Sequence, residues 1–180
     1  MQTHLLQHLR GELWQTETSA AQHCRREAAR LGDTAPARAL SAAAQHADDT
    51  LATLPRLLQD VGSTHKTVGT AVGKFFSELR DTLADNLVTS ERSYRGTLLG
   101  LRHGVDLVRL MLASASHDSS DVRQFLEAWL ARREPLITEV AQQLSWFAEH
   151  QGQALKHARG LFGPGERRKQ ATAAEHRAQS

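Results

Sequence analysis

Isoleucine occurs once and valine eight times among 180 residues, so the β-branched residues that strands favour are scarce. That composition argues against a β-sandwich, a barrel or a wide parallel sheet. Cysteine also occurs once, as Cys24, which excludes an intramolecular disulfide framework and any multi-cysteine metal site. A lone thiol fits a reducing compartment, and a cytoplasmic location is the expectation. No uncharged apolar run approaches the length of a membrane span. His4, His8 and Arg10 interrupt the first residues, which lack the apolar core and cleavage site of a secretory signal.

Charge of one sign is lacking too. Lysine and arginine total 22 against 20 acidic residues. The excess belongs to residues 163–180, where Arg167, Arg168, Lys169 and Arg177 outnumber Glu166 and Glu175. The remaining body is neutral, so no nucleic-acid partner is expected from a basic face. The chain contains no His-Glu-x-x-His, no Gly-x-Ser-x-Gly and no dinucleotide fingerprint. Gly69-Thr70-Ala71-Val72-Gly73-Lys74-Phe75 departs from a phosphate loop in spacing, and Phe75 stands where the loop needs Ser or Thr.

What the chain has instead is 25 leucines and 26 alanines, both strong helix formers. Apolar residues recur at helical spacing in four long segments. The first covers 3–31, through Leu6, Leu9, Leu13, Ala20 and Leu31, and ends at Gly32. The second covers 36–61, through Leu40, Ala43, Ala47, Leu51, Leu54, Leu58 and Val61, with Pro55 expected to kink it. A crossover helix is expected from Thr67, with a break near Asp81–Asn86. The third long helix carries Leu87, Tyr94, Leu98, Leu101, Val105, Val108 and Leu112. After a loop at Ser116–Ser120, the fourth starts at Asp121, bends at Pro135 and is expected to run to Leu161. Residues 1–162 then form one all-α domain, a four-helix bundle with a crossover between helices 2 and 3. Residues 163–180 read as a disordered basic tail.

Three stretches carry a family resemblance. They are His46-Ala47-Asp48-Asp49-Thr50 with Leu54-Pro55-Arg56-Leu57, then Ser90-Glu91-Arg92-Ser93-Tyr94-Arg95-Gly96-Thr97-Leu98, then Phe125-Leu126-Glu127 through Glu134. Across about residues 5–147 the chain resembles the ferritin-like superfamily, especially its small bacterial stress-protein branch. The resemblance implies a di-iron or di-manganese site, built from Glu on two helices and Glu-x-x-His on the other two. The chain departs from that set. His46 and Asp49 stand in reversed order without a preceding Glu, and neither Glu127 nor Glu134 is followed by His three residues later. A metal-binding stress-response bundle would have to use Glu91, His46, Asp49, Glu127, Glu134 and Glu27, with Glu17 as a further carboxylate. The leading expectation is a non-catalytic ferritin-like bundle without metal or cofactor, acting through a homodimer or another protein partner.

Two further features bear on that reading. Glu91 falls on the apolar stripe of helix 3, where a bare carboxylate is costly, and Arg133 falls on that of helix 4. The pattern predicts a Glu91–Arg133 core pair fixing helix register. Gly96, Gly100 and Gly104 form a ladder inside helix 3, and each costs about 1 kcal/mol relative to Ala. Close packing against another helix, within the chain or in a second subunit, is the expected compensation. Cys24 is expected to be an inert buried thiol, and the His4–His8 pair a solvated one.

Overall fold

The computed structural model describes residues 2–58, 86–114 and 120–154. These form an all-α bundle: α1 (Gln2–Leu31), α2 (Ala35–Leu58), α3 (Asn86–Ser114), α4 (Ser120–Gln142) and the short α5 (Leu144–Glu149). The crossover helix expected from Thr67 and the tail after 163 lie outside the described residues. So does the terminus expected at Leu161. No helix among the described residues is long and apolar enough to cross a membrane.

The α1–α2 turn follows directly from its residues. Gly32 ends α1 with φ 64°, a left-handed conformation that suits glycine, and its N–H donates to Ala28 O at 3.1 Å. Thr34 then caps α2: its Oγ1 accepts from Ala37 N at 3.3 Å, while its carbonyl accepts from Arg38 N at 3.1 Å. The two helices run antiparallel over a seam of buried small residues, Ala20, Ala21, Cys24 and Ala28 against Ala37, Ala43, Ala44 and Ala47. Such side chains let the helix backbones approach closely.

α1 packs beside α2 and α3, and α4 packs beside the same two, so α1 and α4 face each other across the bundle. Ser93 meets Glu27, whereas His103 meets Glu12, so α3 runs antiparallel to α1. α2 and α3 therefore run in the same direction, and the chain leaves α2 at one end and enters α3 at the other. The core between them is leucine, alanine, valine and a few aromatics, including Leu13, Leu40, Leu101, Met111, Leu126 and Val140. Tyr94 ties α3 to α4 by donating to Val140 O at 3.0 Å.

The fourth helix differs from its expectation. It stops at Gln142, and Gln143 N is shared between Glu139 O at 3.3 Å and Val140 O at 3.2 Å. This tightened turn re-aims the chain into α5, where the adjacent Trp146 and Phe147 are both buried. Phe147 packs 5.1 Å from Tyr94, ring centre to ring centre. Neither glycine nor proline marks this turn, so the helical periodicity alone carried the expectation past it.

Candidate functional site

The polar centre of the bundle is assembled from α1, α2 and α4. On α1, Leu13, Glu17, Ala20, Cys24, Glu27 and Leu31 follow steps of four and three, and all six are buried. Two carboxylates and a thiol thus enter the core on one unbroken stripe. α4 contributes Trp129 and Arg133, and α2 contributes His46 and Thr50.

Arg133 donates through Nη2 to Glu17 Oε2, and both side chains are 1% exposed. The guanidinium also lies over the Trp129 ring, 4.8 Å from its centre, where the π-face attracts a cation. The other side of this layer is His46, its ring 5.7 Å from that of Trp129. Burial pushes the Glu17 carboxyl above its ordinary range, with Arg133 the largest opposing influence. Burial likewise pulls Arg133 down, with Glu17 opposing. Each charge is disfavoured by the interior and retained by the other. His46 is pulled down to about 4, first by burial, then by the positive charges of Arg133 and Arg132; Asp49 opposes. It is a neutral imidazole at pH 7. Thr16 Oγ1, His46 Nδ1, Trp129 Nε1 and Arg133 Nε are buried without a hydrogen bond of good geometry.

Nearly three turns further along α1, Glu27 is satisfied differently. Its Oε1 accepts from Arg30 Nη1 at 2.9 Å and from Ser93 Oγ at 2.7 Å. Cys24 sits between the two clusters. Burial pushes its thiol up to about 12, so it is not a nucleophile at neutral pH.

The expected pair Glu91–Arg133 does not form. Glu91 is bound to Arg95 Nε at 2.6 Å on its own helix, with 31% of its side chain exposed. The reason is geometric. A seven-residue repeat on a straight helix drifts by about 20° per heptad, so three heptads back from Leu112 the stripe has rotated by about 60°. Tyr94 and Ser90 face inward there, and Glu91 is turned toward solvent. Arg133 is buried as its stripe requires, and its partner is Glu17.

The residues proposed as metal ligands are not brought together. His46 and Glu27 are buried in separate clusters. Asp49 lies on the surface, 2.9 Å from Arg132, with its carboxyl held below the usual range by Gln45 first and then Arg132. Glu127 faces Arg123 and Glu134 faces Arg109, both on the outer surface. Among the described residues no group of three or more His, Cys, Asp or Glu side chains is placed to hold a metal ion. A di-metal centre therefore does not fit this donor set, because the guanidinium of Arg133 already occupies the coordinating face of Glu17. Of the histidine pair near the start, His8 is exposed and 4.0 Å from Glu12. The His4 side chain lies outside the described residues.

The glycine ladder splits. Gly104 is buried, and a Cβ there would stand 3.3 Å from Thr16 Cγ2 and 3.6 Å from Trp129 Cη2. It lets α3 close over the polar centre. Gly96 and Gly100 are half-buried. Steps of four residues rotate about 40° around a helix, so the three cannot share one contact line.

No protein-family model, no curated protein and no solved structure matches this chain.

Proposed function

We propose that the protein is a non-catalytic, ferritin-like helical bundle of the bacterial cytoplasm that works through protein contact, with self-association as its mode. The single observation that carries this reading is the Glu17–Arg133 pair. The interior position that a carboxylate would offer to a metal or a substrate is closed by the chain's own cation, with both side chains 1% exposed. The parallel course of α2 and α3 supports the ferritin-like topology. With its polar centre internally neutralised, the bundle has its outer surface left for recognition.

The test is expression with iron and manganese supplied, followed by elemental analysis and sedimentation of the purified full chain. The expected outcome is no stoichiometric metal and a concentration-dependent dimer. Two metals per chain, lost on Glu17→Ala, would replace this reading with the metal-binding stress-response bundle.

A further inference from the structure

Among the described residues, the large hydrophobic side chains left exposed are Leu99 and Leu110, 49% and 48% accessible. Both belong to α3. Eleven residues apart, they lie within about 20° of each other around the helix and about 16 Å apart along it. They are part of a regular outer stripe, Gly96, Leu99, His103, Asp106, Leu110, Ala113, in which Leu99, His103, Asp106, Leu110 and Ala113 are exposed. The stripe reads nearly the same in both directions: a small residue, Leu, two opposite polar groups, Leu, a small residue.

We infer that this outer face of α3 is the self-association surface, occupied by α3 of a second copy running antiparallel across a two-fold axis between residues 104 and 105. The inference rests on the self-association reading and adds its location and register. A two-fold contact must be self-complementary, and this stripe is. The axis sets Leu99 against Leu110 of the second copy and Gly96 against Ala113. It sets Asp106, 76% exposed and 3.9 Å from Arg109 on its own helix, against His103, half-exposed beside Glu12, and beside Arg102, and does so twice. A parallel pairing would instead stack Asp106 on Asp106 and Arg102 on Arg102, which repels.

The same register uses the two glycines that the bundle's own packing leaves half-buried. Gly96 and Gly100 flank Leu99, so Leu110 of the second copy enters a notch that any larger residue would fill. A single-helix contact of this kind lies at the small end of specific interfaces, so the dimer is reversible rather than permanent.

Sedimentation equilibrium of the full chain over a concentration series tests this. The expected result is a monomer–dimer equilibrium weakened at least tenfold by Leu99→Glu and by Leu110→Glu, with helix content unchanged. Asp106→Arg should weaken it as well, and adding His103→Asp should restore it. Cys24 is fully buried, so cross-linking reads introduced thiols: Leu99→Cys mixed with Leu110→Cys should cross-link faster than either variant alone. A dimer indifferent to both glutamate variants overturns this face and leaves the proposed function standing. Faster 99–99 or 110–110 cross-linking overturns the antiparallel register. A chain that stays monomeric at every concentration overturns both readings. If Leu99→Glu then lowers its melting temperature, the face is covered from within the chain.

Discussion

Glu17 and Glu27 sit on the same stripe of α1, ten residues apart, and each is 1% exposed. They reach neutrality by opposite routes. Glu27 finds Arg30 one turn along its own helix, and that arginine keeps 13% of its side chain in solvent. Glu17 finds Arg133 across the full width of the bundle, on the helix diagonal to its own, where no solvent remains. The local pair can form in a single helix. The distant one forms only when α4 has packed across the bundle from α1. Burial depth alone therefore says little about what a charged residue does for the fold; where its counter-charge comes from decides it.

The largest expected effect tests that contrast. Removing either member of the distant pair, by Glu17→Leu or Arg133→Leu, should cost roughly 3–5 kcal/mol, because it strands the other charge in the core. The double substitution should cost far less than the two single losses together. Glu27→Leu should cost about 1–2 kcal/mol, since Arg30 can turn to water. Urea denaturation of the four variants measures all of this. Equal losses for Glu17→Leu and Glu27→Leu would erase the distinction.

His46 sharpens the same comparison, since it packs against the Trp129 ring that Arg133 covers. Its folded value of about 4 lies below the ordinary 6.5, so the folded state resists protonation and the unfolded chain does not. The contribution of His46 is therefore complete above pH 6.5 and is lost as pH falls toward 4. The total is on the order of 3 kcal/mol at 1.36 kcal/mol per pH unit. Stability measured across that window should fall in the parent chain and be flatter in His46→Gln. Glu17 responds in the opposite sense, its carboxyl being raised, so the difference between the two proteins is what isolates the imidazole. Identical slopes would place His46 in contact with water.

The smallest effect is expected at Glu91. Its pair with Arg95 is a partly exposed i,i+4 contact, worth no more than about 0.5 kcal/mol. Glu91→Leu should leave the denaturation midpoint nearly unchanged. A loss of several kcal/mol would return Glu91 to the core and undo the assignment of Glu17 as the partner of Arg133.

The helices themselves were readable in the residues. Gly32 and Thr34 mark the first turn, and the apolar spacing gives α1, α2 and α3 nearly to their ends. The burial of Arg133 was also legible, because it falls on the apolar stripe between Leu130 and Ile137. Its partner was not. Periodicity assigns a face to each residue, yet it says nothing about which helices lie diagonal to each other. Of the α1 carboxylates, spacing in the sequence sets only Glu27 well on the apolar stripe, so Glu17 is passed over, whereas the structure buries both. Over long helices the drift between 3.5- and 3.6-residue repeats then turned Glu91 outward. The turn at Gln143 left no trace in composition at all.

The separation of 116 positions from Glu17 to Arg133 also sets an order in time. A ribosome adding about 5–20 residues per second needs on the order of ten seconds to make that interval. From the completion of α2 at Leu58 until Arg133 is made, the α1–α2 hairpin stands with its central carboxylate still lacking a cation. Water must stay with Glu17 until α4 emerges, so the seam can zip from the Gly32 turn but cannot dry out. The packing of α4 expels that water, and the nascent chain commits to its native interior only when Arg133 arrives.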